Sequence, residues 1–193
     1  MGFLYNYMTI EKFANLVKTN KWIFSDVGRT NDFRERGIDY YSKFEKENRG
    51  LLKFACFSSS WKIAPMWYFY SGNYTGVCVE FSIEKLKEKY KDIEIEEIKY
   101  MPISDPKSWQ SNIATFKDYL SIKTPDWAYE HEIRLFYTGE DDSLFGILSC
   151  ISKVYTGHDC ILNQDNVNEF SSMIAEGKFK HAHFWPDGDV SSW

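Results

Sequence analysis

The chain has 193 residues, a net charge of −5 and 26% charged residues. This length suffices for one domain with a hydrophobic core, and we predict a single domain over residues 1–193. The net negative charge argues against a general nucleic-acid-binding surface. Aromatic residues are unusually frequent at 18%, enough to fill a core and still leave rings to line a pocket.

The N-terminal residues lack the basic region and long apolar run of a secretory leader, and no stretch reaches about 18 apolar residues. The four cysteines, Cys56, Cys78, Cys150 and Cys160, form no CxxC pair and have no histidines at zinc-ligand offsets. We therefore predict a cytoplasmic protein that contacts no membrane and holds no metal.

The first half of the chain mixes strand-like and helical segments. The sequence predicts a first strand over 3–8, and Thr9 is a suitable N-cap for a helix that ends near Asn20. The segments that follow are a short strand over 21–25, a polar loop over 27–50, a strand over 51–58, an aromatic helix over 64–71 that Pro65 opens, and a strand over 76–81.

The second half continues without strict strand–helix–strand alternation. Its predicted segments are a helix over 83–91 capped by Ser82, a strand over 93–100 with a phase shift typical of a bulge, a helix marked by Trp109, Ile113, Phe116 and Leu120, strands over 130–137 and 152–156, a helix near 166–175 and a last strand over 179–185. This order favours an α+β fold, with a mixed, split sheet and flanking helices.

The segment 129–137 carries the most informative pattern. Its period of two places Glu130, Glu132 and Arg134 on one side of a predicted half-buried strand. His131 falls on the apolar side and is predicted to pack in the core. A row of two carboxylates and a guanidinium either meets water or lines a polar cleft.

Several motifs occur in an order that resembles a widespread bacterial and phage domain family of unknown function, number 2971. They are the block Leu4–Thr9, the block Lys21–Ser25, the pair Asn31-Asp32, the block Cys56-Phe57-Ser58, the pair Met66-Trp67 with Tyr70, the strand Gly76–Phe81 and the block Trp127–Leu135. The resemblance covers most of residues 3–160.

The same layout resembles the ADP-ribosyltransferase fold. The resemblance implies that Glu132 is the catalytic carboxylate and that Glu130 assists it. Asn6, or Arg29 as the alternative, takes the first-strand position, where those enzymes usually have His or Arg. The residues placed at the nucleotide are Asn6, Tyr7, Ser58 (or Ser59), Trp67, Tyr70 (or Tyr68) and Arg134. Arg134 either clamps a phosphate or pairs with Glu132.

This resemblance implies an enzyme that cleaves the nicotinamide–ribose bond of NAD, its substrate, and transfers ADP-ribose to a macromolecule in a toxin or phage-conflict role. Protein and nucleic acid are both candidate acceptors, and nucleic acid is expected as a partner only in that role. Bond cleavage passes through an oxocarbenium-like sugar, which a nearby carboxylate stabilises.

Two other functions compete with the enzyme. A non-catalytic module on the same scaffold would bind a nucleotide or a protein partner, consistent with Asn6 in place of a charged residue. A nuclease would hold Mg²⁺ through the acidic pairs Glu130/Glu132 and Asp141/Asp142.

Overall fold

The computed structural model describes residues 2–25, 30–32, 52–102, 113–184 and 190–192. The chain divides into two compact units. The first comprises Met1–Trp22, Phe57–Lys91 and Ser143–Trp193, and the second comprises Ile23–Cys56 and Asp92–Asp142. Each unit is assembled from segments that are separated in sequence. A single domain over 1–193 stays a prediction.

The strands are β1 (Phe3–Met8), β2 (Lys21–Ile23), β3 (Lys53–Ser58), β4 (Val77–Ser82), β5 (Ile93–Glu97), β6 (Lys99–Tyr100), β7 (Ile122–Lys123), β8 (Glu132–Tyr137), β9 (Ser143–Phe145), β10 (Ile151–Thr156), β11 (Phe179–Phe184) and β12 (Val190–Ser192). The α-helices are α1 (Ile10–Thr19), α2 (Ala64–Tyr70), α3 (Ile83–Lys89), α4 (Phe116–Leu120), α5 (Gln164–Glu169) and α6 (Ser171–Ala175). In the described part of the chain, 3-10 helices span Pro125–Glu130 and Ile147–Cys150.

The first unit contains a mixed sheet with the strand order β12-β11-β10-β4-β1. Strands β10 and β11 are parallel, and the other neighbours are antiparallel. In this register Tyr5 lies opposite Glu80, and Tyr155 lies opposite Cys78. All six residues of β4 are buried, as befits a strand with neighbours on both sides.

Helix α1 packs its apolar side within the first unit. The Thr9 hydroxyl caps its N-terminus by accepting from the Lys12 amide, and Asn20 ends it at a left-handed φ of 51°. The buried ring of Phe13 lies 4.8 Å from that of Phe170 and 6.1 Å from that of Phe179. These ring contacts tie α1 to the end of α5 and to β11.

The second unit has the strand order β3-β8-β5 and a small parallel pair, β6 and β7. Its apolar core is a cluster of buried side chains from β3, α4, β7, β8 and the residue Ile113; the members are Phe54, Ile113, Tyr119, Leu120, Ile122 and Phe136. Every residue of β8 is buried. The polar side of β8 therefore lies inside the protein.

The predicted α+β class with a mixed sheet and helices is confirmed, and the mixed sheet is large. The caps at Thr9 and Ser82 and the helix opened by Pro65 also agree with the structure. The region 93–100 is two strands separated by Ile98. The predictions on 27–29, 33–51 and 103–112, which include Arg29 and Trp109, lie outside the described residues.

Four expectations are wrong. The helix predicted near 166–175 is two short helices, α5 and α6. The strand predicted over 130–137 begins only at Glu132, because the preceding residues form a 3-10 helix. Between them His131 has a left-handed φ of 45° and is exposed rather than packed in the core. The half-buried face predicted for β8 is fully buried.

None of the helices in the described ranges is long and apolar enough to cross a membrane.

Candidate functional site

The residues predicted to form a site belong to two different units. Glu130, Glu132 and Arg134 lie in the second unit. The others lie in the first unit and are Asn6, Tyr7, Ser58, Trp67 and Tyr70.

Glu132 is the centre of a buried ionic network. Its side chain accepts from Arg134 Nε at 2.7 Å, and the ammonium of Lys123 lies 2.6 Å from its other oxygen. The residue is only 3% exposed. A buried carboxylate needs such compensation, because removing a charge from water is costly unless the charge is paired and hydrogen-bonded.

Lys123 joins the two predicted carboxylates. Its Nζ atom lies 2.7 Å from Glu130 Oε2 as well as 2.6 Å from Glu132 Oε2. The two glutamates converge on this lysine from different elements, since Glu130 ends the 3-10 helix and Glu132 begins β8. They are not related by the simple two-residue strand spacing that the sequence pattern predicted.

Arg134 also ties β8 to α4. Its Nη1 atom donates to the Leu120 carbonyl at 2.7 Å, and its guanidinium lies 4.9 Å from the centroid of the Phe54 ring. Of the two roles proposed for Arg134 from sequence, pairing with Glu132 is the one that the contacts show. The network contains two acidic and two basic side chains, so their formal charges balance.

The cations set the ionisation of Glu132. Burial by itself raises the pKa of this carboxyl, but the charges and hydrogen bonds of Arg134 and Lys123 outweigh burial and lower the pKa to about 2. Burial, together with the nearby carboxylate of Glu132, raises the pKa of the Cys56 thiol. Glu132 is therefore an anion at neutral pH, and Cys56 is a thiol.

This pairing predicts a specific acid sensitivity. Because the folded-state pKa of Glu132 is below its usual value of 4.5, its contribution to stability is complete above about pH 4.5 and is lost as the pH falls towards 2. The contribution is on the order of 3 kcal/mol. Urea unfolding of the parent and of Glu132→Gln at pH 7, 4 and 3 measures it.

We expect the stability of the parent to fall more steeply with acid than that of the variant. The difference between the two proteins isolates Glu132, because other carboxyls with a lowered pKa, such as Asp118 beside Thr115, are common to both. Parallel pH profiles would contradict this assignment.

In the first unit Tyr7 and Trp67 form a packed pair. Their ring centroids lie 5.2 Å apart in an edge-to-face arrangement, and the Trp67 ring also meets the Phe184 ring at 5.7 Å. The Trp67 indole donates to the Trp61 carbonyl at 2.7 Å, and the side chain is 0% exposed. Trp67 is thus a core residue of its unit.

The remaining predicted residues of this unit differ in exposure. Ser58 is buried, and its hydroxyl accepts from the Ser60 amide at 3.2 Å, as in a turn. Asn6 and Tyr70 are half-buried. The most exposed rings of α2 are those of Tyr68 and Phe69, which the resemblance did not place first.

Two features of the first unit were not predicted. Glu80 is a buried carboxylate on β4, and it accepts from the Tyr155 hydroxyl at 3.0 Å. The second feature is a cluster of His158, His181 and His183, whose ligand nitrogens all lie within 4.8 Å of one another. The two-residue spacing of His181 and His183 on one strand could have indicated that both rings lie on the same face. The position of His158 beside them depends on long-range strand pairing, which the sequence does not reveal.

The histidine cluster is partly desolvated. Burial lowers the pKa of His181 below its usual range, and the neighbouring His158 and His183 lower it further. Among the described residues it is the only group of three or more His, Cys, Asp or Glu side chains with ligand atoms close enough to share a metal ion. Asp141 and Asp142 do not complete such a group with Glu130 and Glu132.

Comparison with known families agrees with one resemblance seen in the sequence. The family model "Protein of unknown function (DUF2971)" matches residues 66–135. This match spans α2 to β8 and is shorter than the resemblance over residues 3–160 that the motifs suggested. No curated protein and no solved structure matches the chain.

Proposed function

We propose that this chain is a non-catalytic module that binds NAD or a related nucleotide. The observation that carries the proposal is that both candidate catalytic carboxylates already form ion pairs with buried cations. Glu132 is held by Arg134 and Lys123, and Glu130 is held by the same lysine. A ribose that needed the Glu132 carboxylate would have to compete for it with these two buried cations, and weakening a buried ion pair is costly.

The binding part of the proposal rests on the exposed rings of α2. Tyr68 is 53% exposed and Phe69 is 66% exposed, and their ring centroids lie 5.1 Å apart at nearly a right angle. The Tyr74 ring lies 6.3 Å from the Tyr68 ring. Exposed rings offer faces on which a base stacks, with about 1–3 kcal/mol per base, and a cationic nicotinamide ring adds an attraction to the aromatic face.

A second candidate is the ADP-ribosyltransferase-like enzyme, with an ADP-ribosyltransferase-like arrangement of the sheet. The observation that favours it is the lowered pKa of Glu132, which keeps this carboxyl ionised at neutral pH. In that mechanism Glu132 stabilises the oxocarbenium-like ribose and Glu130 assists the incoming nucleophile. The acceptor would be a macromolecule, and the role would be that of a toxin or a phage-defence protein.

One experiment separates the two functions. The protein is titrated with NAD in a calorimeter, and the same mixture is analysed by chromatography for free nicotinamide over several hours. The binding module predicts heat of binding without nicotinamide release. Nicotinamide release above the rate in buffer supports the enzyme, and a protein that neither binds nor cleaves NAD overturns both.

Single alanine variants test the surface. We expect Tyr68→Ala to weaken NAD binding by about 1–2 kcal/mol, the scale of a cation–π or stacking contact. Phe145→Ala is the matched control, because Phe145 is also an exposed ring of the first unit but belongs to β9. Equal affinities for the parent and both variants would exclude the α2 rings as the binding surface.

A further inference from the structure

Three of the four histidines of the chain meet in the first unit. His158 lies in the turn after β10, and His181 and His183 lie two residues apart on β11. Strands β10 and β11 are parallel neighbours, with Thr156 opposite His181. This pairing brings the turn after β10 alongside β11. Residues two apart on a strand project to the same face, so His181 and His183 are presented together.

The spacing of the rings approaches that of a metal site. The ligand nitrogens lie within 4.8 Å of one another, and the ring centroids are 5.4 Å apart for His158 and His183 and 6.5 Å apart for His181 and His183. Tetrahedral Zn²⁺ with bonds of 2.0–2.1 Å to nitrogen requires nitrogens about 3.3 Å apart. Because His158 is exposed and lies in a turn, rotation of its side chain is the simplest way to close this difference.

We propose that His158, His181 and His183 form a three-histidine site for a divalent transition-metal ion, with Zn²⁺ the best fit. Neutral imidazole is a ligand that Zn²⁺ and its neighbours in the first transition row bind well. Three protein ligands leave a fourth position for water or an exogenous ligand. The exposure of His158 places that position towards solvent.

A contact outside the cluster supports the orientation of one ligand. The Thr156 hydroxyl lies 3.0 Å from His181 Nδ1. Metal-bound histidines commonly hydrogen-bond through the nitrogen that does not face the metal, and this contact fixes the ring and its tautomer. Because the Thr156 contact is made by Nδ1, we assign Nε2 as the ligand atom of His181. Thr156 is thus a positioning residue for the proposed site.

Binding of Zn²⁺ and Co²⁺ to the full chain, prepared without a polyhistidine tag, tests the proposal. We expect one ion per chain by calorimetry and a Co²⁺ visible spectrum typical of four-coordinate nitrogen and oxygen ligation. Zn²⁺ should also raise the melting temperature. Absence of stoichiometric binding, or thiolate-to-cobalt charge-transfer bands, would overturn the three-histidine site.

Four variants locate the site. We expect His158→Gln and His183→Gln each to lower Zn²⁺ affinity by at least about 100-fold, more than the 10–100-fold expected for the positioning variant Thr156→Val. His131→Gln is the matched control, since His131 is the remaining histidine, is exposed and lies in the second unit. Because His158 is exposed, its variant should keep the parent's circular dichroism spectrum. Unchanged affinity in His158→Gln, or an equal loss in His131→Gln, would overturn the proposal.

Discussion

Glu132→Gln should lower the free energy of unfolding by about 3–5 kcal/mol, the cost of removing one partner from a buried ion pair. The substitution keeps the size of the side chain but removes the anion that Arg134 and Lys123 share at Glu132. Lys123 keeps its ion pair with Glu130. Urea denaturation at neutral pH, followed by circular dichroism, measures the change.

The control is Glu97→Gln. Glu97 lies in the second unit on β5 but is exposed, so its substitution should change stability by less than about 0.5 kcal/mol. The double variant Glu132→Gln/Arg134→Met removes both charges of the Glu132–Arg134 pair and should recover part of the loss, with a coupling of about 1–3 kcal/mol. If Glu132→Gln were as harmless as Glu97→Gln, the network would not stabilise the fold.

Trp67→Ala should cost about 3–5 kcal/mol, the range for deleting a large buried aromatic side chain. The variant loses the ring contacts to Tyr7 and Phe184 and leaves the Trp61 carbonyl without the indole donor. Trp67→Phe keeps an aromatic ring and should lose less, about 1–3 kcal/mol, mainly through the unsatisfied carbonyl. Thermal and urea unfolding give both values.

The matched control is Phe69→Ala, two residues further along α2. Phe69 is largely exposed, so its loss should change stability by less than about 0.5 kcal/mol. Comparing Trp67→Ala with Phe69→Ala therefore distinguishes the buried ring that stabilises this helix from an exposed ring that a ligand can contact. Equal destabilisation by Trp67→Ala and Phe69→Ala would contradict the packing described for α2.

Short-range signals in the sequence predicted the local structure well. The Thr9 and Ser82 caps and Pro65 at the start of α2 each act within one helical turn. These signals arise because the first backbone amides of a helix have no acceptor within the helix. A capping side chain close in sequence accepts from one of them, and a proline removes one. Such signals are readable without knowledge of the fold.

The network around Glu132 was less predictable, and the reason is local geometry. Alternation predicted that Glu130 and Glu132 share a strand, but His131 adopts a left-handed φ and separates a 3-10 helix from β8. Burial of the charged side of β8 depends on Lys123. The periodicity of side chains along one strand carries no information about a compensating cation on another element.

The histidine cluster depends on even longer-range order. Only the parallel pairing of β10 with β11 brings His158 near His181 and His183. No acid or thiol stands at a recognisable metal-ligand spacing from these histidines, so the sequence predicted no metal ligands. A set of ligands that comes from a turn and a distant strand has no signature in local spacing.

The interleaved segments of the two units have a consequence for synthesis on the ribosome. Strand β4 pairs on one side with β1, which is already made, but its other partner, β10, follows about 70 residues later. At 5–20 residues per second this interval lasts roughly 4–14 s. During that time the nascent β4 has one unpaired edge of apolar sequence, the kind of surface that associates with other chains or recruits chaperones. The first unit therefore cannot complete its sheet until after the chain segment that supplies most of the second unit has been translated.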